Sequence, residues 1–97
     1  MLRKEIPMSV LLITYDHSKM SPMVDPVPDF VKEYKHVQLS QSSYAIETDE
    51  KTMTIFHKIM PYLSINAHLF IVTLTQPFTG QGLEHVGEWL RKRLPQD

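Results

Sequence analysis

Two stretches of this chain are apolar almost without interruption, and a chain that holds both has little choice but to build a sheet around them. Val10, Leu11, Leu12 and Ile13 form the core of the first, VLLITYD, which ends on Asp16. The second, HLFIVTLT, runs from His68 to Thr75. Runs of that length, rich in β-branched and aliphatic residues, have the pattern of central strands covered on both faces. Both are therefore expected in the interior of one sheet, side by side, with Val10 to Tyr15 antiparallel to Leu69 to Leu74.

What lies between them sets the class. After Asp16 comes a polar loop punctuated by Pro22, Pro26 and Pro28. Asp25 is placed to cap a helix with two prolines in its first turn, where missing amide hydrogens cost nothing. Val27, Phe30, Val31 and Tyr34 recur at i, i+3, i+4 and i+7, so the helix should end near Lys35. From His36 the period becomes two, with Val37 and Leu39 on one side, but Tyr44 and Ile46 occupy the opposite phase. A turn or bulge in Ser40-Gln41-Ser42 accounts for the shift. Thr48 or Asp49 should then cap a second helix whose buried face is Met53, Phe56, Ile59, Met60 and Leu63, with Pro61 kinking or ending it. Beyond a loop with Pro77, Gly80 and Gly82, residues Leu83, Val86, Trp89, Leu90 and Leu94 mark a last amphipathic helix. The order strand, helix, two short strands or one bent strand, helix, strand is α+β: a ferredoxin-like split βαβ sandwich with an added C-terminal helix. The expected organisation is a flexible N-terminal extension over 1–7 and a single domain over 8–97.

Composition removes several classes of chemistry. With no cysteine, the chain has neither thiolate zinc sites nor thiol nucleophiles, and a cytoplasmic setting is expected. No apolar run approaches the roughly 20 residues of a membrane span, so no membrane partner is expected. The only glycines, Gly80, Gly82 and Gly87, come too late to cradle phosphates after the first strand. His36, His57, His68 and His85 show no helical pair or zinc spacing, while His17 either joins Asp16 in moving a proton or is a solvated loop residue. A net charge of −1 supplies no global pull on nucleic acid, so such binding must come from a local patch.

Asp16 is the residue with chemistry to offer, because a strand end holds a carboxylate rigidly where water, metal or substrate can reach it. The same residue can simply open a turn by bonding its own backbone. Arg91, Lys92 and Arg93 form the one basic triplet; they either complement the negative end of the last helix or make a phosphate-binding patch.

Three segments, LLITYD, HVQLSQSSYAIET and MPYLSINAHLFIVTLT, carry a family likeness. The chain resembles the superfamily of small CRISPR-associated adaptation proteins and virulence-associated protein D toxins. The resemblance implies a ferredoxin-like protomer, a two-fold homodimer and, in active relatives, a metal-dependent nuclease in which the first-strand aspartates of two protomers meet at the dimer axis. Asp16 is the matching catalytic and metal-binding residue, with magnesium or manganese as the implied cofactor. Ser43 and Tyr44 lie where the family has a serine and an aromatic. Lys19, Ser43, Tyr44, Arg91, Lys92 and Arg93 are accordingly the expected contacts to RNA or DNA. Active relatives carry arginines in and after the first loop, where this chain offers only Lys19, and relatives often end in a strand swapped onto the partner where this chain reads as helix. Two readings follow: a nucleic-acid-associated protein, either a magnesium-dependent nuclease or a degenerate relative, and a non-catalytic dimerisation or partner-binding module.

Overall fold

A computed structural model describes residues 8–16 and 25–95; the expected extension over 1–7 and Lys19 with its loop lie outside the described residues. Four strands, β1 (Ser9–Tyr15), β2 (Lys35–Ser40), β3 (Ser43–Thr48) and β4 (Leu69–Leu74), and three helices, α1 (Val27–Val31), α2 (Thr52–Ile59) and α3 (Glu84–Arg93), follow in the order β1-α1-β2-β3-α2-β4-α3. They form one α+β sheet in the order β2-β3-β1-β4, in which every neighbouring pair is antiparallel. Val10 pairs with Leu74 and Tyr15 with Leu69, the adjacency expected of the two apolar runs.

Side chains alternate across a strand, so β1 feeds two cores. Leu11, Ile13 and Tyr15, joined by Tyr44 and Ile46 of β3, pack under Val27 and Val31 of α1 and Ile55 and Ile59 of α2. On the opposite face Val10, Val37 and Ala45 meet Leu90 and Leu94, which α3 and its C-cap bring down onto the sheet. The molecule thus has α1 and α2 on one face and α3 on the other. Arg93 helps hold α3 there: its guanidinium lies 4.3 Å over the Trp89 ring, and its Nε is 3.5 Å from Glu47 of β3.

Local structure departs from the sequence expectations in both helices of the first face and in the place of β4. The first helix stops at Val31 instead of reaching Lys35, which opens β2. Its last turn tightens, since the Glu33 and Tyr34 amides donate to the Phe30 and Val31 carbonyls. Pro26, not Asp25, is the N-cap; Asp25 stands one residue earlier, its Oδ1 accepting the Val27 amide at 3.0 Å. The phase change resolves into both candidate devices at once, a Gln41-Ser42 turn and a register shift between Gln38 and Ser40 that leaves Leu39 partly exposed.

The second helix starts later and is rotated from expectation. The Thr48 hydroxyl accepts the Glu50 amide at 3.0 Å, keeping 48–50 in a turn, and Lys51 becomes the N-cap. Ile55 and Ile59, four apart, then reach the sheet, while Met53 and Met60 face outward. The Glu50 carboxylate accepts from the Tyr34 hydroxyl at 2.7 Å and from Lys58, tying the end of α1 to α2. Helix α2 gives way before Pro61 to a 3-10 turn over Met60–Tyr62.

The largest departure is β4. Read from sequence as a central strand, it stands at the sheet edge, with Phe70 71% and Val72 47% exposed. β1 and β3 take the central places.

Candidate functional site

β1 ends between two neighbours. The Tyr15 amide donates to the Ser42 carbonyl at 3.0 Å on the β3 side, and the Asp16 amide donates to the His68 carbonyl at 2.9 Å on the β4 side. These bonds fix the backbone of Asp16 in the sheet just as its side chain leaves the core, and Asp16 is half-buried. Around it is an open depression of about 470 Å³ lined by Thr14, Tyr15, Asp16, Gln41, Ser42, His68 and Phe70. The β2–β3 turn forms one wall and the start of β4 the other.

Behind the depression a polar contact enters the core. The buried Tyr15 hydroxyl donates to Asp25 Oδ2 at 3.0 Å. Burial, then this bond to a carboxylate, pushes the Tyr15 phenol well above the usual tyrosine range. Burial and the same Asp25 charge raise Tyr44 as well. Both rings are therefore neutral at any physiological pH and serve as scaffold for the site.

The lining is more apolar than polar, with Phe70 and Tyr15 in it, but its polar groups are mainly oxygen donors. One carboxylate, the hydroxyls of Thr14 and Ser42 and the Gln41 amide suit a hard divalent ion that retains several of its own waters. Among the described residues, no group of three or more His, Cys, Asp or Glu side chains converges as a metal cage. Such an ion would need further negative ligands from whatever it binds.

The expected site residues do not all gather here. Ser43 is opposite Thr14 in the register, but its hydroxyl is engaged with Ser40 at 2.6 Å, closing the hairpin. Tyr44 is buried in the α1/α2 core, so its ring is not on offer to a base. Arg91, Lys92 and Arg93 occupy the last turn of α3, which packs over Val10 at the other end of β1. Six residues of extended strand separate that end from Asp16, roughly 20 Å. Of the triplet, Arg91 and Lys92 are exposed, whereas Arg93 is spent on Trp89 and Glu47. Lys19 lies outside the described residues.

Gln41, Ser42 and His68 are the site residues that the sequence reading passed over. One signal for His68 was in hand: once Val10–Tyr15 and Leu69–Leu74 are antiparallel, the residue before the second strand must face the residue after the first.

No family model, curated protein or solved structure matches the chain significantly. The described helices include none long and apolar enough to cross a membrane.

Proposed function

We propose that this chain is a small, dimeric nucleic-acid-associated protein on a ferredoxin-like frame, a degenerate relative of the CRISPR-associated adaptation nucleases that keeps the binding role. The order β2-β3-β1-β4 with α1 and α2 on one face supports the frame. The observation that carries the function is the position of Asp16, at the end of a central strand and in the mouth of an open depression that Thr14, Gln41 and Ser42 help to line. Magnesium or manganese held there by Asp16, with Ser42 and Gln41 contacting its waters, would draw its remaining ligands from the phosphates of RNA or DNA. That division of labour, one carboxylate plus substrate phosphates, is common for magnesium. The ion would supply electrostatic neutralisation of a phosphate; the chain supplies its anchor and a rigid strand end.

The alternative, a non-catalytic partner-binding module, draws support from the absence of any Lys or Arg among the described lining residues and from the remoteness of the basic triplet. A binding and cleavage assay separates the two. With single-stranded RNA and duplex DNA, affinity should depend on magnesium or manganese, fall on chelation, and drop at least about tenfold in Asp16→Asn with the circular dichroism spectrum unchanged. A parent protein that ignores every nucleic acid tested, with either ion, leaves the partner-binding module.

A further inference from the structure

The two edges of the sheet are built on opposite plans. β2 begins with Lys35 and His36, carries a register shift at Gln38/Ser40, and is exposed along most of its length. Charge and irregularity of that kind are how an edge avoids pairing with another chain. β4, the other edge, has neither: Leu69–Leu74 contains no charged residue, proline or glycine, and its pairing with β1 runs without a shift. It also has the composition of a strand buried on both faces, yet it exposes Phe70 and Val72.

We propose that β4 pairs with β4 of a second copy of this chain, joining two four-stranded sheets into one continuous sheet about a two-fold axis at Ile71. The proposal deepens the dimer assumed above and specifies its surface.

The free backbone groups define the register. The Asp16 amide bonds to His68, so in antiparallel alternation Phe70, Val72 and Leu74 also turn their amides and carbonyls toward β1. Leu69, Ile71 and Thr73 therefore aim theirs outward. For a two-fold antiparallel pair, only the register that sets Ile71 opposite Ile71 of the partner subunit matches all three within the strand, with Leu69 opposite Thr73 of the partner subunit. One residue further either way leaves the parity wrong, and two leave an end residue without a partner inside the strand. The chosen register forms about six hydrogen bonds.

Side chains agree with it. Phe70 falls opposite Val72 of the partner subunit, twice by symmetry, in non-hydrogen-bonded positions where side chains approach most closely. An aromatic ring across from a β-branched residue is a favourable cross-strand pair. No like charges meet along the seam, because Leu69–Leu74 has none.

The same register has a consequence for Asp16. Counting three strand spacings across and six residues along, the two Asp16 carboxylates lie about 25 Å apart. Each depression then works alone, and no metal ion is shared between protomers.

The chain has no cysteine, which makes the test direct. Full-length Phe70→Cys and Val72→Cys proteins, mixed and oxidised, should form disulfide-linked dimers far more readily than either alone, since the register brings 70 and 72 of different copies together. In sedimentation, the parent should be a dimer at micromolar concentration, and both Val72→Lys and Thr73→Pro should raise the dissociation constant at least about tenfold. Each keeps the protomer intact: Val72 is already half exposed, and the Thr73 amide is not used by β1. A monomeric parent, cross-linking of the mixture no better than of the single variants, or a dimer indifferent to both substitutions overturns the proposal. A parent that stays monomeric but gains a partner through added β-strand peptides would show the edge to serve another chain, and also overturns it. Nucleic-acid binding is read separately, so an edge-paired dimer inert toward RNA and DNA would refute the proposed function alone, and a monomer that binds them would refute this pairing alone.

Discussion

Tyr15→Phe tests a buried polar contact that braces the candidate site. The parent ring is 6% exposed and its hydroxyl donates to Asp25 at 3.0 Å. The substitution leaves the ring in place and removes the hydroxyl, and with it that bond to a carboxylate. A hydrogen bond to a charged group contributes about 1.5–3 kcal/mol, and the partly buried setting puts the loss near the lower end, about 1.5 kcal/mol below pH 9. Melting should fall by roughly 4–8 °C for each kcal/mol in a domain of this size. The pH dependence makes the test specific. A phenol whose folded pKa is raised adds stability that is complete below the unfolded value of 10.0 and is lost as pH rises toward the folded one. At pH 11, one unit above the unfolded value, that loss is about 1.4 kcal/mol for a single tyrosine still protonated in the fold. The Phe variant escapes it. Urea unfolding followed by circular dichroism should therefore show the variant clearly weaker than the parent at pH 8 and nearly equal to it at pH 11. A gap that stays constant between the two would mean the Tyr15 hydroxyl is not held in the folded protein as described.

Ile55→Ala should cost about 2–5 kcal/mol by emptying a fully buried position between α2 and the sheet, whereas Met53→Ala, at a site 67% exposed, should stay within about 0.5 kcal/mol; equal effects in denaturant titrations would restore the helix phase expected from sequence. The Lys58 ammonium and the Tyr34 hydroxyl hold the Glu50 carboxyl below its ordinary 4.5, so its contribution is present above that pH and lost as pH falls. Glu50→Gln should accordingly flatten the decline of the urea midpoint between pH 5 and pH 3, and a slope equal to the parent's would remove the network from the acid response.

Much of the frame was legible in the residues themselves. Val10 to Ile13 and Leu69 to Leu74 read as strands, because short apolar runs rich in β-branched and aliphatic residues fit a covered sheet, and their antiparallel adjacency followed from the order of elements. Pro61 and the phase break before Tyr44 announced a helix end and a turn through local chemistry that does not depend on distant parts of the chain. The α2 stripe was misphased because methionine and isoleucine are equally apolar on paper. Which of them faces inward depends on where the helix starts, and a three-residue turn at 48–50 settled that. The site divided along the same line. Asp16 stood out as a strand-end carboxylate, but the company it keeps, Gln41, Ser42 and His68, comes from two other strands whose ends meet only when the sheet forms. Tyr44 and Arg93 looked available in sequence and are consumed by packing. Above all, periodicity reports that β4 is apolar on both faces but not what lies beside it. Strand order is a property of the assembled sheet, and it placed this buried-looking strand at an open edge.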